Sequence, residues 1–463
     1  RAEGAMARAL AVALLVLPRA SAQEPPDAPW SELAGGSTEA ELPTTRSGHS
    51  AMWCAALGGF IAFGGRGAMG VFHGDVWRWT NASGGWQLLT LAAGWPSVPR
   101  ARAAHSAVCT GSAMLVFGGS CGADCYLDDV WVLRSHEPAE PRAISWVEQT
   151  TSAAVAEHGT PEPRAGHGAV WHHGLGQMLV FGGQLLEGGA LVDDAWALTG
   201  SYAWRRLSAA GASGAPGGRR DAAIGLLSGR MLVFGGWRGY DLLSDLWELH
   251  VRNATWAQLA TEPSGRRGAA MASSPDGTAV ALFGGAAFAP DSVYEEDRSD
   301  VWLFTAEERA WEQVSTGLRG PAGRRAAALA WLPGTQTLLM FGGEQYVGVR
   351  RFWSDLWRLD LDKARLWDKA YAAYLEAIAD EADGGGADAP RPRTDEININ
   401  LRWLDDLFVD LPLWASATIV FGLPCFCLCL CICSGLYRQR RRAQARKRAE
   451  ARERAHAEAE DDS

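Results

Sequence analysis

The chain has 463 residues, 48% of them hydrophobic and 21% charged, which excludes an intrinsically disordered polymer and leaves room for one large or several ordinary domains. Its formal net charge of −10 argues against nucleic acid as a partner.

From the N-terminus, "RAEGAMARALAVALLVLPRASAQEPP" carries a basic residue, an apolar run from Ala9 to Leu17 and then "ASA". This pattern predicts a secretory signal peptide over residues 1–22, with Met6 as initiator and cleavage after Ala22. The run is too short to span a bilayer.

A repeat follows. Gly-Gly pairs stand at Gly64–Gly65, Gly118–Gly119, Gly182–Gly183, Gly235–Gly236, Gly284–Gly285 and Gly342–Gly343, each after an apolar run such as "MLVFGG". Each precedes an Asp-x-Trp that begins at Asp75, Asp129, Asp194, Asp245, Asp300 or Asp355. A second tryptophan comes later: Trp86, Trp146, Trp204, Trp256, Trp311 and Trp367. Upstream, an arginine opens "RSGHSAM", "RAAHSAV", "RAGHGAV", "RRDAAIG", "RRGAAMA" and "RRAAALA". Four short apolar runs per unit, separated by turn residues, predict strands a to d of a β-propeller blade. The fold class is therefore all-β, a six-bladed propeller over residues 30–367. "WSEL" (Trp30 to Leu33) matches the strand-d pattern and is expected to complete the sixth blade, which removes an open edge.

These residues resemble the kelch family, whose repeats carry a Gly-Gly after strand b and spaced aromatics. The resemblance covers Trp30 to about Trp367 and implies an interaction role. Some kelch-like propellers are copper oxidases, but the Tyr, Cys and His constellation they need has no convincing equivalent here. No catalytic residue, metal or cofactor is expected, and a metal-dependent oxidase is the weaker alternative.

Beyond the repeats, residues 368–410 read as a helical and then flexible linker, with "DGGGADAPRPRTDE" extended. Residues 411–437 hold no charge and predict a spanning helix. Arg438, Arg440, Arg441 and Arg442 follow, so residues 438–463 are expected to be a cytoplasmic tail and the propeller lumenal or extracellular. The reading is a type I single-pass membrane protein; a membrane-tethered cytosolic adaptor is the alternative. In "CFCLCLCIC", Cys431 and Cys433 beside the basic run are palmitoylation candidates.

Strand alternation puts the b–c and d–a loops on one face and the a–b and c–d loops on the other. The sequons at Asn81 and Asn253 fall in c–d turns and are glycosylation candidates. The opposite face has the longer, more varied loops. Trp237, Arg238, Tyr240, Phe288, Tyr294, Tyr346, Arg351 and Trp353 lie there, residue types that dominate interface hot spots. They predict a surface for a protein or glycan partner, centred on blades four to six; packing of the loops on each other would also account for them. Arg46, Arg102, Arg164, Arg219, Arg266 and Arg324 could form a cationic ring, but pairing with the six aspartates is the simpler account. His49, His105 and His167 match in blades one to three and read as packing residues, not metal ligands. Cys121 and Cys125 share one loop and are disulfide candidates; Cys54 and Cys109 pair or stay buried thiols.

Overall fold

The computed structural model describes residues 28–33, 42–367 and 370, save for 81–84, 93, 95–96, 136–142, 150–158, 210, 213, 260–261, 290–291 and 318–319. Six four-stranded antiparallel units form the blades, that of blade two extended by Thr90–Leu91, which pairs in parallel with its outermost strand. Blade one runs Ser50–Cys54, Gly59–Phe63, Val76–Thr80, Gly85–Leu88. Blade two runs Ser106–Cys109, Met114–Gly122, Cys125–Ser135, Ala143–Gln149, and blade three Gly168–His172, Gln177–Phe181, Ala195–Leu198, Trp204–Ser208. Blade four is Ala223–Leu227, Arg230–Phe234, Leu246–His250, Thr255–Gln258, and blade five Ala270–Ser273, Ala279–Phe283, Val301–Thr305, Trp311–Val314. In blade six, Ala328–Leu332, Thr337–Tyr346 and Arg350–Asp360 are completed by Trp30–Leu33, with Trp30 opposite Leu359 and Leu33 opposite Leu356.

Apolar residues on both sides of strand b explain why blades stack. Gly59–Phe63 is buried at every position, as a strand covered on both faces must be. The core is accordingly not one mass but six apolar clusters, each between two neighbouring blades. A repeated aromatic contact marks each junction. The strand-d tryptophan packs on the strand-b phenylalanine of the preceding blade: Trp86 on Phe341, Trp146 on Phe63, Trp204 on Phe117, Trp256 on Phe181 and Trp311 on Phe234, at 4.6–5.5 Å between ring centres. Trp30 takes that place against Phe283 at 5.9 Å. Trp367, the second tryptophan after Asp355, lies not on a strand but at the end of a helical segment over 361–367, and is buried.

The Gly-Gly pair has a backbone reason. All twelve glycines have positive φ, from +60° to +104°, a region closed to most side chains. A Cβ on Gly64, Gly235 or Gly284 would meet the carbonyl oxygen of the next blade's arginine at 2.7 Å. The second glycine donates its N–H to that carbonyl, as Gly65 does to Arg102 (2.8 Å) and Gly343 to Arg46 (2.9 Å), the latter across the ring closure. A disulfide also joins the innermost strands of blades one and two, from Cys54 to Cys109.

The expected membrane address is corrected. Among the described residues no helix is long and apolar enough to cross a membrane, where about 20 apolar residues are needed. The segment on which the type I topology rested, 411–437, lies outside the described residues, as do the signal segment 1–22, the tail 438–463, Asn81, Cys431 and Cys433. Lumenal or extracellular placement of the propeller and a cytoplasmic tail are therefore withdrawn.

Candidate functional site

Around the channel axis the chain builds two rings before it builds a site. The outer ring is the set of repeated arginines, each nearly or wholly buried. Arg164 shows the pattern: Nη1 and Nη2 donate to Asp194 Oδ1 and Oδ2 at 2.6 and 3.0 Å, Nη1 to the Gly182 carbonyl at 3.1 Å, and Nε to the Glu162 carbonyl at 3.0 Å. Trp196, two residues after Asp194 and so on the same strand face, donates its indole N–H to Oδ2 at 2.7 Å. The same bidentate pairing recurs at Arg46–Asp75, Arg102–Asp129, Arg219–Asp245, Arg266–Asp300 and Arg324–Asp355. Burial opposes ionisation of Asp75 and Asp245, yet their arginine and tryptophan partners outweigh it and hold both below the usual carboxylate range. These arginines hold the blade together, so the Asp-x-Trp spacing is structural.

The inner ring is backbone. Gly48, Ala104, Gly166, Asp221, Gly268 and Ala326, each two residues after a ring arginine, all have φ between +51° and +68°. Each N–H donates to the carbonyl of its counterpart in the preceding blade, at 2.7–3.1 Å, and Gly48 closes the circle on Ala326. Because these positions share a dihedral and no side-chain property, no residue pattern announces them.

Above this belt lies a cavity of about 420 Å³ at the mouth of the channel, on the face of the b–c and d–a loops. Its lining differs by half. Immediately after the ring arginine, blades one to three have Ser47, Ala103 and Ala165, whereas blades four to six have Arg220, Arg267 and Arg325. Arg66 and Arg350 from b–c loops add to the mouth, with Asp221 and Glu344 opposing them. Arg267 is held by Glu295 through two contacts of 3.0 and 2.8 Å, and Arg325 by Asp297 and Glu295, each at 2.6 Å. Burial and then Arg325 act oppositely on Asp297, and burial prevails, raising it above its usual range. Asp297 also accepts the N–H of Tyr346 at 2.7 Å, so the loop hairpins of blades five and six are tied together. Arg220 donates to Gln184 at 2.6 Å and its guanidinium lies over the Trp237 ring at 4.5 Å.

The eight residues predicted from sequence divide accordingly. Trp237 and Trp353 are partly buried and stack with Arg220 and Arg324, the latter at 4.7 Å. Tyr240 (96% exposed), Tyr294, Tyr346, Phe288, Arg238 and Arg351 are exposed on the b–c loops, outside the cavity lining. The doubled arginines that do line it stand in "RRDAAIG", "RRGAAMA" and "RRAAALA", where two identical side chains in succession conceal that the first pairs with the strand-c aspartate and the second faces the cavity.

The three histidines line the same cavity, pressed against the preceding blade. His105 pairs with the Ser50 hydroxyl at 2.9 Å and His167 with Ser106 at 2.8 Å; His49 faces a blade with Ala328 in that place. Burial, then the adjacent arginine, pushes His49 and His167 down to about 3 and His105 well below its ordinary value, so all three are neutral. Among the described residues no group of acidic, His and Cys side chains is arranged to hold a metal ion. Cys121 and Cys125 are bonded to each other in the blade-two hairpin of this face. Asn253 is exposed in the c–d turn of blade four, on the opposite face.

Residues 141–343 match the family described as the KLHDC2/KLHL20/DRC7 Kelch-repeats domain. Over that stretch the repeats are similar to kelch repeats. Similar proteins include an F-box/kelch-repeat protein of Arabidopsis thaliana, 32% identical over 45% of this chain and 46% of its own length. A leucine-zipper-like transcriptional regulator 1 homolog of Drosophila melanogaster is 28% identical over 56% of this chain and 26% of its own length. Adagio-like protein 1 of Oryza sativa subsp. japonica is 27% identical over 43% of this chain and 30% of its own. The matched part of this chain thus spans less than half the length of each of these relatives.

Proposed function

We propose that this chain is a protein-binding kelch module of the adaptor kind, which seats its partner over the channel mouth, biased towards blades four to six. The observation that carries the reading is the asymmetric lining: three guanidiniums beside the belt in one half, small residues in the other. Tyr240, Phe288, Tyr294 and Tyr346 ring that half with exposed apolar surface, and aromatic and arginine side chains are the usual anchors of protein interfaces. The reading concerns binding, not catalysis. An adaptor is favoured over the receptor expected from sequence, because the membrane address is withdrawn and relatives of the repeats include an F-box/kelch-repeat protein.

Quantitative co-purification of partners with the full chain tests it. A triple variant, Arg220→Gln, Tyr240→Ala and Tyr346→Ala, is expected to lose its partners about tenfold or more, as for loss of hot-spot residues. Met69→Ala with Val71→Ala, exposed on blade one, is expected to retain them. Unchanged partner recovery by the folded triple variant would overturn the proposal.

A further inference from the structure

Asp221 stands at a place where the other blades carry only glycine or alanine. It belongs to the belt, with φ of +55°, and Asp tolerates the left-handed region better than most residues. That tolerance alone does not account for it, since Ala104 and Ala326 adopt the same conformation. What Asp221 adds is a carboxyl group at the rim of the cavity, with its Oδ2 3.5 Å from Nε of Arg220; burial raises it above its usual range, while Arg220 first and then Arg267 and Arg325 draw it down. That nitrogen has no hydrogen-bond partner, so the pair is close but loosely made. The other acids of the mouth are committed elsewhere. Glu295 and Asp297 take Arg267 and Arg325, while Glu344 accepts from Ser47 at 2.9 Å.

We propose that Asp221 is a specificity-determining residue of the mouth: an internal counter-ion to Arg220 that an anionic side chain of the partner must displace. This rests on the mouth of blades four to six being the binding surface. Asp221 thereby lowers the affinity for anionic segments in general and favours a partner whose apolar contacts on the aromatic rim supply the remainder. Charge within the cavity is screened less than charge in bulk water, so a single carboxylate has a measurable effect.

The experiment is a binding titration of fluorescent hexaglutamate peptide against the full chain. Four proteins are compared: wild type, Asp221→Asn, Arg220→Gln, and the double variant. Asp221→Gly, which suits the belt dihedral, is the second carboxylate-free form, and thermal melting checks the fold of each. The expected result is about tenfold tighter binding by Asp221→Asn and Asp221→Gly than by wild type, with the gain lost in the double variant. If Arg220→Gln weakens binding but both Asp221 variants match wild type, the counter-ion role is overturned and the mouth survives as the binding surface. If Arg220→Gln also binds as wild type does, or no protein binds the peptide, both are overturned.

Discussion

Blades one to three and blades four to six share one scaffold and differ in what they place around the axis. The first half has histidine three residues after the ring arginine and a small residue directly after it; the second half has alanine and arginine in those places. The first half also has both disulfides of the described residues. The scaffold accounts for what repeats, so the departures carry the information. They make blades one to three the consolidated half and blades four to six the charged one.

The largest expected effect breaks the first half. His49, His105 and His167 are neutral when folded, with values well below 6.5. Their folded values are lowered, so their contribution is complete above the unfolded value near 6.5 and is lost as pH falls from there towards 3. At about 1.4 kcal/mol per pH unit for each group, the loss at pH 5 is about 2 kcal/mol per histidine. Denaturant titration at pH 7 and pH 5 measures this; equal stabilities would contradict it. His105→Gln is expected to flatten the pH dependence.

Next in size is a contrast between neighbours. Arg219→Ala strands the carboxylate of Asp245 and removes the Gly235 contact, and breaking such a buried pair costs about 3–5 kcal/mol. Arg220→Gln, one residue on, is expected to change stability by less than about 1 kcal/mol while altering binding. Thermal melts of the two variants separate the scaffold arginine from the site arginine.

The smallest prediction sharpens the histidine pattern. His105 and His167 each have a serine partner on the preceding blade, whereas His49 meets Ala328 in that place and has no hydroxyl partner. Ala328→Ser would supply the missing hydroxyl and is expected to stabilise the protein by about 1 kcal/mol. A destabilised variant would show that the pocket cannot accept the oxygen.

Legibility followed the same division. The Gly-Gly and the Asp-x-Trp were readable because each serves the blade in every copy, and the second tryptophan because it does so in five of the six. Trp30 could be assigned to blade six because it keeps the strand-d pattern, and its pairing with Leu359 follows. The backbone belt was not readable, since Gly, Ala and Asp meet its dihedral alike. Nor were the serine partners of His105 and His167, which depend on how one blade leans on the next. The stacking of Arg220 on Trp237 and of Arg324 on Trp353 was not readable either, because it depends on how the loops fold back over the strand ends.

The most direct test of the central claim is site-specific photocrosslinking of the full chain with its co-purifying partner. The probe residue is placed in turn at Tyr240 and Tyr346, at Leu186 on the blade-three loop, and at Glu308 on the opposite face, all exposed positions. The account predicts crosslinks from Tyr240 and Tyr346, few from Leu186 and none from Glu308. Crosslinks from Glu308, with Tyr240 and Tyr346 silent, would contradict it.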